Sequence, residues 1–219
     1  MDTQHINNLT ELFKKFPGIG PRQARRFVYY LLTADQTYLN QLSDKIKSLK
    51  KDIKQCSRCG RFFTNGYQPT ANQCKICADP ERDSSSLMIV EKDIDLDTIE
   101  RTRTYRGYYF VLGGNVPILD PQPENHIRFS PLLIEIEKRL KEGLSEIIIA
   151  LSATTEGDHT TDWLIEKLRP LTGPSTPLRA GQACLKISLL GRGLSTGSEL
   201  EYADSETIKN SLNHREAVS

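Results

Sequence analysis

Apolar positions follow a helical period at the start of the chain, thin out in the middle, and then gather into short runs separated by further helical patterns. Residues 7–32 predict two helices joined by the turn Pro17-Gly18-Ile19-Gly20-Pro21. Tyr38 to Ile53 predicts a third helix, with Leu39, Leu42, Ile46, Leu49 and Ile53 at three-and-four spacing. That stripe is either core or a seam for a partner, and core is the simpler reading. Residues 79–86, DPERDSSS, read as a linker of turn-forming and polar residues.

Beyond the linker lie four short runs: LMIV at 87–90, YYFVL at 108–112, IIIAL at 147–151 and ACLKISLL at 183–190. They are rich in β-branched or aromatic residues and predict buried strands. Helices are predicted between them at 95–101, at 130–142 with Leu133, Ile136, Glu137 and Leu140 on a periodic pattern, and at 160–168 with Trp163 and Leu164. This alternation implies an α/β domain, a mainly parallel sheet flanked by helices. Trp163 reads as a core anchor, Cys184 as a buried thiol, and residues 211–219 as a frayed tail. There is no internal repeat and no low-complexity tract.

A length of 219 residues allows one large or two modest domains, and 37% hydrophobic residues are ample for a core. No apolar run approaches the roughly 18 residues of a spanning helix. The polar first ten residues show no charged-then-apolar leader, so a cytoplasmic, reducing setting is expected. The net charge of +1 hides an asymmetry: residues 1–61 carry twelve Lys and Arg against five Asp and Glu, and the remainder carries seventeen against twenty-three. A basic amino-terminal end points to an anionic partner, nucleic acid first. For Lys45, Lys47, Lys50, Lys51 and Lys54 a plain solvated helix surface serves equally well.

Cys56, Cys59, Cys74 and Cys77 form two C-x-x-C knuckles fourteen residues apart. Two thiolate pairs on tight turns complete a closed tetrahedral shell, so one structural zinc ion per chain is expected. A disulfide pair or a redox motif suits the polar, leaderless context less well. Gly60, Asn65, Gly66 and Pro69 are turn formers with little apolar material around them, so this ribbon needs the ion to hold its shape.

In FPGIGPRQARRF, residues 16–27, Gly18 and Gly20 permit backbone that side chains would block, and Pro21 is set to open a helix. The start of that helix presents unpaired N–H groups and a positive dipole end to a phosphate, reinforced by Arg22, Arg25 and Arg26. This is a helix-hairpin-helix pattern, a reader of nucleic-acid backbone; the alternative is a tight turn that only packs.

The PGIGP hairpin, the Cys₄ ribbon, and an alternating domain that begins LMIVE and later contains EGD and ELEYAD follow one another from about residue 9 to about residue 212. In this order they resemble the RecR family of bacterial recombination mediators. The resemblance implies a Toprim-like alternating domain, related to the metal-binding module of primases, topoisomerases and some nucleases. It also implies cooperation with RecO, and with RecF in some contexts, to place RecA on single-stranded DNA coated by single-strand-binding protein. A nucleoid-associated homo-oligomer is implied as well, dimer or ring-like tetramer, with the hairpin arginines facing encircled DNA.

Catalytic Toprim members resemble a strand ending in Glu and a later strand followed by Asp-x-Asp, because phosphoryl chemistry on a divalent ion needs converging carboxylates. Here Glu91 ends the first strand, but Ser152 and Thr154 stand at the two aspartate positions. A non-catalytic protein is therefore expected, with a Mg²⁺-dependent nuclease or primase as the alternative. Glu91, Glu156 and Asp158 remain as an acidic cluster, which the resemblance assigns to the face that meets RecO. His5, His126, His159 and His214 have no Ser or Cys partner that the sequence can place beside them.

The expected division is a helix-hairpin-helix DNA-binding domain at 1–55, the zinc ribbon at 56–80, the Toprim-like domain at 84–180 and an assembly segment at 181–219. The fourteen-residue ribbon loop is longer than the family pattern. Ser195 stands where proline is usual and Ser198 where a second glycine is usual, and Glu199, Glu201 and Asp204 are read as assembly or docking charges or as solvated turn residues.

Overall fold

The computed structural model describes residues 3–64, 72–172, 185–191, 205 and 207–209. The expectations placed on Asn65, Gly66, Pro69, Cys184, Ser195, Ser198, Glu199, Glu201, Asp204 and residues 211–219 lie outside the described residues. Two compact units divide the chain, Met1–Ile53 and Lys54–Ser219.

The first unit holds helices α1 (Gln4–Phe13), α2 (Pro21–Thr33) and α3 (Gln36–Asp52). Phe13 ties α1 to α2, its ring meeting Phe27 edge-on at 5.8 Å, while Ala24 and Val28 are buried beneath. Gly18 turns the chain at φ +75°, a conformation that side chains rarely adopt. Gly20 differs from the expectation: as N-cap of α2 it is extended, with φ −80° and ψ 169°, which any residue can take. No atom lies within 4 Å of the position a Cβ would fill there, so the fold leaves this backbone open to approach. Asp35 caps α3, its Oδ1 accepting from the Tyr38 N–H at 2.9 Å.

The apolar stripe of α3 is not core. The helix buries no residue, and Ile46 and Leu49 are 64% and 59% exposed. A helical period records that one face is apolar, not what covers it. Here α1 and α2 pack on each other, and α3 meets α2 through Tyr38 against Tyr30, with ring centroids 6.3 Å apart.

From the boundary at Ile53 the chain runs into a two-stranded sheet of β1 (Ile53–Gln55) and β2 (Phe62–Thr64), then the single turn α4 (Lys75–Ala78). The alternation that follows is β3 (Asp83–Val90), α5 (Asp93–Thr102), β4 (Gly107–Val111), α6 (Phe129–Glu142), β5 (Glu146–Ala150), α7 (Thr155–Leu168) and β6 (Lys186–Leu189). The four later strands form a wholly parallel sheet in the order β4-β3-β5-β6, with Leu87 opposite both Tyr108 and Ile147 and Ile147 opposite Ile187. This is the α/β architecture that the alternation predicts.

Because strand side chains alternate, the sheet has two cores. Leu87, Ile89, Phe110, Ile147 and Ile149 share one with Leu132 and Ile136 of α6 and Leu164 and Leu168 of α7. Met88, Val90, Tyr109 and Val111 share the other with Leu96 of α5 and with the four cysteines. Trp163 packs edge-on against Phe129 at 4.7 Å on the first face, an anchor as expected.

Several boundaries move, three of them for a reason visible in the structure. The linker at 79–86 is shorter than predicted, since β3 begins at Asp83 and Ser86 is paired with Glu146. Backbone pairing recruits these serines although their side chains give no strand signal. Helix α5 starts at Asp93, two residues early, because the Asp95 carboxylate accepts from the Lys92 N–H at 2.9 Å while the Asp95 N–H donates to the Lys92 carbonyl at 3.2 Å. Helix α7 starts at Thr155 rather than 160, capped by Thr154, whose Oγ1 accepts from the Gly157 N–H at 3.1 Å. A Cβ at Gly157 would lie 2.0 Å from the Ser152 carbonyl oxygen, so only glycine fits that close turn.

Candidate functional site

Among the described residues three sites emerge, one in the first unit and two in the second. At the start of α2, Lys14, Arg22, Arg25, Arg26 and Tyr29 line a groove of about 550 Å³. Arg22, Arg25 and Arg26 are exposed, and no acidic residue occupies the first turn of α2. Glu11 also lines the groove but is engaged by Lys14 at 2.9 Å, and the Arg25 Nη2 donates to Asn7 Oδ1 at 3.2 Å. The structure thus gathers the three arginines beside the open Gly20 backbone and the positive end of the helix. Chemically such an arrangement can accept a phosphate. On α3, Lys47 faces Asp44 at 3.8 Å, and Lys45, Lys50 and Lys51 are exposed with no comparable turn beside them.

The four predicted cysteines do converge. Their sulfurs all lie within 4.8 Å of one another and all four residues are buried. Cys59 Sγ and Cys74 Sγ are 3.6 Å apart, close to the roughly 3.8 Å edge of a tetrahedron with 2.3 Å metal–sulfur bonds. The first knuckle is closed by the Gly60 N–H on the Cys56 carbonyl at 3.0 Å, and the second opens α4, where the Ala78 N–H reaches the Cys74 carbonyl at 3.0 Å. Ser57 joins them, its N–H and Oγ donating to the Asn72 carbonyl at 2.9 and 3.0 Å. Hydrogen bonds from Cys59, Cys74 and Cys77 pull the Cys56 thiol down, while hydrogen bonding with Cys56 first, then Cys74 and Cys77, pushes Cys59 up. One thiolate forms at its neighbours' expense unless a cation joins them. The donor set therefore fits a soft, four-coordinate metal ion.

The ribbon is built onto the sheet. The Val111 N–H donates to the Cys59 carbonyl at 2.8 Å, and Arg58, between the first two cysteines, reaches Glu135 and Glu142 of α6 at 2.9 and 2.8 Å. Glu135 also takes the fully buried Arg139 at 2.7 Å, and the Arg139 guanidinium lies 3.8 Å over the Tyr108 ring. Sequence reasoning missed these residues. Arg58 counted only toward net charge, and Glu135 and Arg139 sit on the buried face of α6 where a hydrophobic period shows nothing.

The third site is the crevice at the carboxyl ends of β3 and β5, where the strand order diverges. Glu91 is only 3% exposed. Its Oε2 accepts from Ser152 Oγ at 2.8 Å and its Oε1 meets Lys92 Nζ at 2.5 Å. Burial opposes ionisation of Glu91, yet hydrogen bonds from Lys92, Ser152 and Asn115 outweigh it and hold the carboxyl below its ordinary range. Glu156 and Asp158 are exposed in the first turn of α7. The predicted acidic cluster is therefore divided, two residues on the surface and Glu91 turned inward. The donor set suits a divalent ion poorly, because Ser152 and Thr154 offer hydroxyls rather than carboxylates and Lys92 already engages Glu91. Thr154 is committed to capping α7.

Comparison with known proteins agrees with this fold. Family models match over residues 85–175 (Toprim domain), 6–50 (RecR, helix-hairpin-helix) and 193–216 (RecR, C-terminal). By fold and match alike this is a Toprim protein that carries a helix-hairpin-helix unit. Recombination protein RecR of Bifidobacterium longum subsp. infantis is 36% identical over 208 residues, 94% of this chain and 93% of the relative. Those of Bifidobacterium adolescentis and Mycobacterium leprae are 36% and 32% identical, covering 97% of this chain and 96% and 97% of their own. The chain belongs to the RecR family, whose named members are recombination proteins. No described helix is long and apolar enough to cross a membrane.

Proposed function

We propose that this chain is a non-catalytic, DNA-binding recombination mediator that acts with RecO, and with RecF in some contexts, to load RecA on single-stranded DNA coated by single-strand-binding protein. The observation that carries the reading is the groove where Arg22, Arg25 and Arg26 gather at the open start of α2. It suits single-stranded, duplex or gapped DNA, since phosphate is common to all three. The hairpin domain at 1–55 holds DNA, the ribbon at 56–80 takes one structural zinc ion, and the Toprim-like domain at 84–180 carries the partner face through Glu156 and Asp158. Residues 181–219 contribute to assembly. The site of action is the cytoplasm, at the nucleoid.

A homo-oligomer is part of this reading. In the first unit Phe13, Phe27, Tyr30, Leu31, Tyr38 and Leu42 line an apolar groove of about 510 Å³. With the exposed stripe of α3 it forms a surface suited to a second copy, dimer or tetramer. Light scattering with and without an oligonucleotide reads the stoichiometry. The functional test is a Glu156→Lys, Asp158→Lys double variant. Loss of RecO binding with DNA affinity unchanged supports the assignment, and equal loss of both, with normal melting, contradicts it.

A further inference from the structure

Lys92 is the residue of the crevice that the proposed mediator role does not account for. Its backbone caps α5, and its side chain, 62% exposed, turns back to place Nζ on the buried carboxylate of Glu91. A hydrogen bond with Glu91 first, then the charges of Glu91, Asp95 and Glu156, raises the ammonium above its ordinary range. Three carboxylates, one just beyond β3 and one each from α5 and α7, thus act on one cation. Ser152 occupies the other oxygen of Glu91, and Asn115 also hydrogen-bonds this carboxylate while its Oδ1 is buried without a hydrogen-bond partner among the described residues. The crevice therefore keeps acceptors suited to a positive charge, and the charge it holds is covalently attached.

We propose that Lys92 is the resident cation of this crevice: its ammonium carries the charge that a divalent ion supplies in metal-using Toprim sheets, and it excludes Mg²⁺ and Mn²⁺ from the site. The inference rests on the Toprim reading of the crevice and is independent of how DNA is held. Two features keep a divalent ion out. Serine at 152 removes a ligand, and the ammonium repels an incoming dication at the carboxylate it would need. Restoring the missing carboxylate alone is then insufficient, because Lys92 remains in place.

The test is Mn²⁺ binding by the full-length protein, followed by electron paramagnetic resonance, in the wild type, Ser152→Asp, Lys92→Met and the double variant. Methionine keeps the apolar stem and removes the charge. The wild type and Ser152→Asp should bind no stoichiometric Mn²⁺, and the double variant should bind one ion at least about tenfold tighter than Ser152→Asp. Circular dichroism melting confirms that each variant is folded at the assay temperature, and Lys92→Gln replaces Lys92→Met where the latter is not. Stoichiometric Mn²⁺ in the wild type, equal affinity in Ser152→Asp and the double variant, or no binding by the double variant each overturns the inference. DNA affinity measured on the same four proteins should be unchanged, which separates failure of this inference from failure of the mediator reading.

Discussion

Arg58, in the turn between Cys56 and Cys59, donates through Nε to Glu135 Oε1 at 2.9 Å across 77 residues of chain. The contact clamps the first cysteine knuckle to α6, and Glu135 at its far end is buried beside Arg139. Burial pushes the Glu135 carboxyl up, while Arg139 and Arg58 draw it back. Removing one cation leaves a buried carboxylate short of a partner, which is costlier than losing a surface pair. Arg58→Ala should destabilise the second unit by about 1.5–3 kcal/mol. Glu142→Ala removes only the exposed end of the clamp and should cost no more than about 1 kcal/mol. Urea denaturation of the two variants compares them directly; equal effects would mean that the buried half of the clamp contributes nothing special.

Zinc should be present at one ion per chain by elemental analysis. Structural sites of this kind contribute on the order of 10–16 kcal/mol of apparent binding energy in small peptides, so loss of one ligand cannot be absorbed. Since the cysteines share a core with Met88, Val90, Tyr109 and Val111, a metal bound there would also support one face of the sheet. Cys74→Ser or a strong chelator should lower the melting temperature of the second unit, and unchanged melting in Cys74→Ser would exclude a structural metal.

Labelled DNA incubated with Mg²⁺ or Mn²⁺ should be neither cut nor extended, because a two-metal centre has no carboxylates at 152 and 154. Cleavage that survives purification and disappears in Glu91→Ala would favour the enzyme reading.

Acid should weaken the fold partly through Glu91. Its carboxyl titrates below the ordinary 4.5, so the ionised form is favoured by folding. The stability it contributes is full above about pH 4.5 and is lost as pH falls through the lowered folded value. Glu146, lowered by hydrogen bonds from Ser188 and Lys186, acts in the same direction. Glu91→Gln should therefore lose less stability than the wild type between pH 5 and pH 3, read from melting temperatures; parallel curves would show that Glu91 is not held ionised.

The parts of this molecule visible in its sequence are those encoded locally. Two C-x-x-C pairs announce a shared site because cysteine is a rare ligand at a short spacing, and four apolar runs alternating with helical patterns announce a parallel sheet. What escapes is set by what lies opposite. The α3 stripe has a helical period, yet Ile46 and Leu49 stay exposed because α1 and α2 pack on each other. Glu91, a charge at the end of a strand, reads as surface and is buried because Ser152 and Lys92 satisfy it. Arg58 and Glu135 meet only once the ribbon lies on α6. The start of α7 was hidden by a polar first turn, in which Thr154 and Gly157 supply a cap instead of a period.

The central claim is that the arginines after the hairpin hold DNA through its phosphates. Fluorescence anisotropy of the Arg22→Ala, Arg25→Ala double variant, on two unrelated oligonucleotides at several salt concentrations, tests it most directly. Each phosphate contact removed should flatten the slope of log affinity against log salt by about 0.7 on single strands and about 0.9 on duplex. The loss should be alike for both sequences, and substitution of Lys45 and Lys47 should leave the slope nearly unchanged. An unaltered slope in the arginine variant, or a loss confined to one sequence, would contradict the account and reduce the hairpin to a packing turn.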